Sequence, residues 1–140
     1  MKVYLLEIVV FVTGAAVMIF ELVGSRVLAP HLGTSIYVWT SLIGVILGSL
    51  SLGYFWGGKL ADKGANLQIF SLVIFASGIA VAFCVIFESI VFANISGLGD
   101  LRLKSVVSTL ILFAPATVLL GMVSPYAAKL KLKNLARSGR

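Results

Sequence analysis

Residues 36–58 read IYVWTSLIGVILGSLSLGYFWGG and contain no Asp, Glu, Lys or Arg. An α-helix needs about 20 apolar residues to cross the ~30 Å hydrocarbon core of a bilayer, and this stretch is long enough to do so. In lipid the backbone must satisfy its own hydrogen bonds, and the stretch lacks the two-residue alternation of a barrel strand. The stretch therefore predicts a transmembrane helix.

Three further apolar runs flank this stretch, at about 3–28, 67–93 and 105–128. Of the 140 residues, 60% are hydrophobic and 11% are charged, whereas a soluble domain carries about 25% charged residues. We predict an all-α polytopic membrane protein, with a four-helix transmembrane domain at 1–128 and a basic tail at 129–140. Because the first run is long, holds two glutamates and lacks a small-residue cleavage site, we expect a retained helix rather than a secretory signal.

The basic residues predict the orientation of the helices. They account for a net charge of +6, but they collect at the ends of the apolar runs rather than on one polar face, which argues against nucleic-acid binding. One end of the runs has the larger group, comprising Lys2, Lys59, Lys63, Lys129, Lys131, Lys133, Arg137 and Arg140. The other end has only Arg26, Arg102 and Lys104. Since positive residues are retained in the cytoplasm, we expect both termini on the cytoplasmic side of the plasma or inner membrane.

Two short segments lie outside the apolar runs. Thr34 and Ser35 precede the second run and are typical N-cap residues. In the tail, leucines alternate with lysines, a pattern that fits either an interfacial segment on anionic lipid or an ordinary stop-transfer tail. The single cysteine, Cys84, lies inside an apolar run and predicts neither a disulfide framework nor a metal site.

Small residues four positions apart predict how the helices pack, because helices in lipid associate through close contact of such residues. The second run has two such rows, on different faces. These rows are Gly44 with Gly48, and Ser49 with Gly53 and Gly57. The fourth run offers Thr117, Gly121 and Ser124, and the first offers Thr13, Gly14 and Ala16. We therefore expect the second helix to contact two neighbours at once.

Pro115 lies in the middle of the fourth run. A proline there removes one backbone hydrogen bond, which predicts a kink near Ala114. Ser108 and Thr109 are expected to donate to the carbonyl groups that the kink leaves free.

Glu21 is the deepest ionisable residue of the four runs. It lies roughly 9 Å from the centre of the first helix, at 1.5 Å per residue, where a carboxylate is costly unless it is protonated, paired or hydrated. Arg26 follows five positions later, so the two side chains do not share a helix face. Glu21 is either a proton- or cation-coupling carboxylate or a buried pairing residue that fixes the helix register.

Three stretches closely resemble the membrane region of spermidine-synthase-like integral membrane proteins. They are residues 20–35, FELVGSRVLAPHLGTS; residues 37–45, YVWTSLIGV; and residues 53–63, GYFWGGKLADK. Residues 121–127, GMVSPYA, resemble the end of the same region. Proteins of this kind are described as fusions of a major-facilitator-like segment with a spermidine synthase domain. The resemblance covers nearly the whole chain.

The turn at 58–63 also resembles the cytoplasmic loop between the second and third helices of major facilitator transporters. The signature residues here are Gly58, Asp62 and Lys63, and the resemblance implies that Asp62 and Lys63 cap and pin helix ends, although residues 64–66 depart from the signature. The synthase-like proteins also carry a Rossmann-type domain, but no strand–Gly-rich–helix unit occurs in this sequence. We therefore expect no catalytic residues, no cofactor and no aminopropyl transfer by this chain alone.

The leading hypothesis is a non-catalytic membrane module, which acts as an anchor or assembly subunit in a homo-oligomer or a hetero-complex. The rival is a small proton- or cation-coupled transporter that works as an oligomer, with Glu21 as the coupling carboxylate. Four-helix multidrug exporters are similarly short and carry one glutamate in the first helix. A third hypothesis is a subunit of a larger complex, in which the glycine rows meet foreign helices.

Overall fold

The computed structural model describes residues 3–97 and 99–138, which form four α-helices joined by short connections. The helices are α1 (Val3–Leu32), α2 (Ile36–Asp62), α3 (Leu67–Ile95) and α4 (Leu101–Ser138). All four are long and apolar enough to cross a membrane, and none of the described residues lies in a strand. The predicted all-α, four-helix membrane fold is confirmed. Lys2 and Arg140, which contributed to the orientation prediction, lie outside the described residues.

The first helix is longer than the sequence predicted. It passes through Pro30 and ends at Leu32, rather than stopping near Leu28. A proline in the last turn of a helix removes only one backbone bond, so the helix tolerates it there. Gly33 then closes the helix with a positive φ of 77°, and its N–H donates to the carbonyl of Ala29 at 2.9 Å. This left-handed closure is the usual glycine ending.

The helix starts show one expected cap and one unexpected cap. Ser35 occupies the N-cap position of α2, but its side chain makes no capping hydrogen bond. At the start of α3, the side chain of Asn66 accepts a hydrogen bond from the N–H of Gln68 at 3.2 Å. The side chain of Asn66 thus satisfies a free N–H group at the start of α3, whereas the hydroxyl of Ser35 satisfies none at the start of α2.

The fourth helix occupies the centre of the bundle. It contacts all three other helices and packs most extensively against α2, while α1 also contacts α2. The buried apolar residues form two clusters, one at each end of the bundle. The first cluster includes Leu28, Leu42, Phe92 and Phe113, and the second includes Leu6, Ala61, Phe70, Val123 and Tyr126. Consecutive helices therefore run in opposite directions.

The central helix continues through Pro115 and Pro125 as one element. The prediction that Ser108 and Thr109 serve the carbonyls freed by Pro115 is wrong, because both hydroxyls donate to the carbonyl of Ser105. Thr117 lies closer to the proline, and its hydroxyl bonds the carbonyls of Phe113 and Ala114. A hydroxyl group on a helix bonds a carbonyl three or four residues before it. Ser108 and Thr109 therefore lie too early in the chain to bond a carbonyl that Pro115 leaves free.

The basic residues from Lys129 onward extend α4, which stays helical to Ser138. A helix of 38 residues is about 57 Å long at 1.5 Å per residue, well beyond the ~30 Å of the hydrocarbon core. The last turns of α4 thus project past the end of the apolar bundle. We call this end, which carries Lys59, Lys63, Lys129, Lys131 and Lys133, the basic end.

Candidate functional site

Three glycines let the backbones of α2 and α4 touch. A Cβ atom on Gly53 would collide with the carbonyl oxygen of Val118 and would lie 3.0 Å from the Cα of Gly121. On Gly57 it would lie 2.7 Å from the Cα of Met122, and on Gly121 it would lie 2.9 Å from the carbonyl oxygen of Leu50. Close backbone contact of this kind is how helices associate in lipid, where no hydrophobic force drives them together.

The other glycine row of α2 contacts no helix. Gly44 and Gly48 are exposed, and a Cβ atom on either one would have no other helix's atom within 4 Å. Gly14 in α1 is open in the same way. Of the six glycines predicted to pack helices, Gly53, Gly57 and Gly121 do so within the chain. Gly44 and Gly48 instead form a smooth, unoccupied face on α2.

Glu21 and Arg26 are not brought together. Glu21 is half-buried on α1, whereas Arg26 is exposed beside an open hollow of about 470 Å³ between α1 and α2. Within residues 3–97 and 99–138, neither side chain makes a salt bridge or a side-chain hydrogen bond. Glu21 thus lies partly buried on α1, and its side chain has no counter-charge among the described residues.

A cleft of about 520 Å³ separates α1 from α3, and Phe113 and Leu120 of α4 form its floor. Its walls are apolar side chains, apart from Ser77, Cys84 and Glu88 of α3. One turn beyond Glu88, the ring of Phe92 stacks on His31 at a centroid distance of 4.0 Å. This stack joins the ends of α1 and α3, while the two helices stay apart along the cleft.

At the basic end, three lysines of α4 each bind a different element. Lys129 pairs with Asp62 at the end of α2. Lys131 lies 2.6 Å from a carboxylate oxygen of Glu7 on α1, and Lys133 donates to the carbonyl of Ala65 at 2.9 Å. Both ion pairs are about half exposed to solvent. The end of α4 is thereby linked to α1, to α2 and to the α2–α3 connection.

The residues of the major-facilitator-like turn have three different surroundings. Asp62 contacts α4 through Lys129, while Gly58 has open space around it. Lys63 is exposed and follows directly after the last residue of α2, at its C-cap. The turn is closed by Gly64, whose φ of 135° suits only glycine.

Two aromatic contacts were not foreseen from the sequence. The hydroxyl of the fully buried Tyr126 accepts from the N–H of Asn66 at 3.0 Å and donates to its carbonyl at 3.2 Å. At the opposite end of the bundle, the guanidinium of Arg102 donates to the hydroxyl of Tyr37 at 3.0 Å. The pattern of a single sequence gives no signal for partners that are 60 and 65 residues apart.

The comparisons with known proteins identify no relative. No family model, curated protein or solved structure matches the chain. The fold and the composition of its helices define the class of protein, a multi-pass α-helical membrane protein with four spans.

Proposed function

We propose that the chain is a non-catalytic membrane module, an anchor or assembly subunit that joins other helices within the bilayer. The single observation that carries this proposal is the unoccupied glycine face of α2 at Gly44 and Gly48. The same helix uses Gly53 and Gly57 to bind α4 at backbone distance. A second row with the same spacing, exposed to lipid, is suited to a second contact of the same kind.

The resemblance to the membrane region of spermidine-synthase-like proteins supports the same proposal. The motif at 20–35 and the turn at 58–63 belong to that resemblance, and proteins of that kind are described as fusions in which the membrane region is joined to a synthase domain. We propose that the module lies in the plasma or inner membrane with both termini in the cytoplasm, because the lysine-rich basic end is expected to stay on the cytoplasmic side.

Cysteine cross-linking in native membranes tests the assembly proposal. Ser51 is exposed and lies one turn from Gly48, so we expect S51C in a C84S background to form a disulfide-linked adduct, with a second copy or with a partner chain. Adding Gly44→Leu and Gly48→Leu should abolish the adduct while leaving the helical content unchanged. S71C, on an exposed position of α3, is the matched control. Equal cross-linking from S51C and S71C would contradict the proposal.

A second candidate, a cation- or proton-coupled transporter, is favoured by one observation. Glu21 is half-buried in an apolar span with no ion-pair partner among the described residues, and such carboxylates often serve coupling. Flux of a lipophilic cation into proteoliposomes, driven by a pH gradient, should be lost in Glu21→Gln and kept in Glu7→Gln. Flux that is the same in both variants removes the support for this candidate.

A further inference from the structure

A small groove at the basic end lies between α2 and α4. Trp56, Lys59, Leu60 and Lys63 of α2 and Met122 of α4 line it, and its volume is about 210 Å³. The groove exists where Gly57 brings the two helices into contact at Met122. It is too small to enclose a whole phospholipid, but it is large enough for a phosphate-bearing group.

The two lysines of this groove differ from the three lysines of α4 at the basic end. Lys129, Lys131 and Lys133 each bind an oxygen of the chain. In the part of the chain that the structure describes, no carboxylate lies within 4.0 Å of Lys59 or Lys63. The ammonium of Lys59 lies 5.7 Å from the centroid of the Phe55 ring, which is a contact with an aromatic face and leaves its charge uncompensated by an anion.

The spacing of the two lysines concentrates this charge. Lys59 and Lys63 are four residues apart, so they project from the same face where α2 ends. Like charges at this spacing repel each other, and an anion between them relieves that repulsion. Trp56 is one turn earlier on that face, and an indole ring prefers the level of the lipid headgroups. Leu60 and Met122 supply an apolar floor beside the charges.

We propose that this groove binds the headgroup of an anionic phospholipid. The phosphate lies between the ammonium groups of Lys59 and Lys63, and the start of the acyl region contacts Leu60 and Met122. The apolar floor and the position at the end of a membrane span favour a lipid over a free anion. A zwitterionic lipid carries its own cation and gains less from two lysines that lack a counter-ion.

Native mass spectrometry of the full chain tests the proposal, after exchange into micelles with equal amounts of phosphatidylglycerol and phosphatidylcholine. We expect the protein to retain phosphatidylglycerol preferentially. The variant Lys59→Gln/Lys63→Gln should lose this preference by about tenfold or more, since each of the two lysines attracts the anionic lipid. Lys104→Gln/Lys133→Gln removes the same net charge outside the groove and should keep the preference.

Several outcomes would overturn the proposal. They are equal retention of both lipids by the unaltered protein, an unchanged preference in Lys59→Gln/Lys63→Gln, or an equal loss in the control variant. Release of the lipid by millimolar inorganic phosphate would assign the groove to a free anion instead. Should the double glutamine variant lose its helical circular dichroism, Lys59→Arg/Lys63→Arg replaces it, and this variant must retain phosphatidylglycerol because both charges remain.

Discussion

The contacts that α2 and α1 make with α4 differ in kind. Gly53 and Gly57 of α2 meet backbone atoms of α4, whereas Gly24 of α1 meets the Phe113 ring, whose nearest carbon would lie 2.6 Å from an added Cβ. In its most apolar stretch, α1 has 11% of its residues buried, compared with 50% for α4. Backbone atoms of a helix cannot move aside for an added methyl group, whereas an aromatic ring can rotate. The α2–α4 pair is therefore the rigid part of the bundle, and α1 is attached to it more loosely.

The largest expected effect follows from closing the backbone contact. Gly53→Ala places a methyl group against the carbonyl of Val118 and should destabilise the protein by about 3 kcal/mol, the upper range for overpacking. The free energy of unfolding can be measured by titrating mixed micelles with a denaturing detergent and following circular dichroism. Gly44→Ala, on the same helix but in open space, is the control and should change stability little. Similar losses in both variants would show that the contact with Val118 does not cause the destabilisation, because alanine itself has a higher helix propensity than glycine.

A smaller effect is expected at the contact of α1. Gly24→Ala pushes the Phe113 ring, which is fully buried and lies 5.1 Å from the Phe20 ring centroid. The ring can move by a fraction of an ångström, so we expect a loss of about 1 kcal/mol. In a Phe113→Leu background the smaller side chain leaves more room, so Gly24→Ala should lower the free energy of unfolding by less than it does beside the phenylalanine ring. A double-mutant cycle of the two substitutions measures this difference. Additive effects would mean that the alanine clashes elsewhere.

The smallest effect concerns the ion pair between α1 and α4. Lys131→Gln removes the partner of Glu7, but because both side chains are about half exposed, the loss should be at most about 1 kcal/mol. Raising the salt concentration should shrink the difference further, since exposed charges are screened. The cycle with Glu7→Gln isolates the pair. A coupling energy that is large and independent of salt would show that this pair, rather than the Gly24 contact, attaches α1.

Hydropathy was sufficient to predict that there are four helices, but it did not predict where they end. The run at 105–128 was predicted too short, because basic residues stop a hydropathy run while they do not stop a helix. The run at 3–28 was predicted too short because Pro30 was expected to lie beyond the end of the helix. His31 still lies within α1, and Lys129 and the residues after it still lie within α4. The end of α1 is set by the backbone at Gly33, whose N–H donates to the carbonyl of Ala29, and not by the polarity of the side chains.

The candidate residues show the same division. Asp62 was predicted to pin a helix end on the basis of a resemblance, but nothing in the sequence indicated Lys129 as its partner. Tyr126 and Asn66 also pair across 60 residues, a separation over which no local periodicity operates. Which residues become partners in this way depends on which helix faces pack together. A single sequence shows the residues on each face, but it does not show which other face they contact.

The amino-acid sequence by itself determined that four spans cross a bilayer and that most of the positive charge collects at one end of them. Both properties are sums over neighbouring residues, so they need no knowledge of the fold. Only the tertiary structure decided which glycine row of α2 is filled by α4 and which remains open. The two rows have the same spacing and the same residue type, and the choice between them depends on the rotation of α2 against α4, which long-range packing sets.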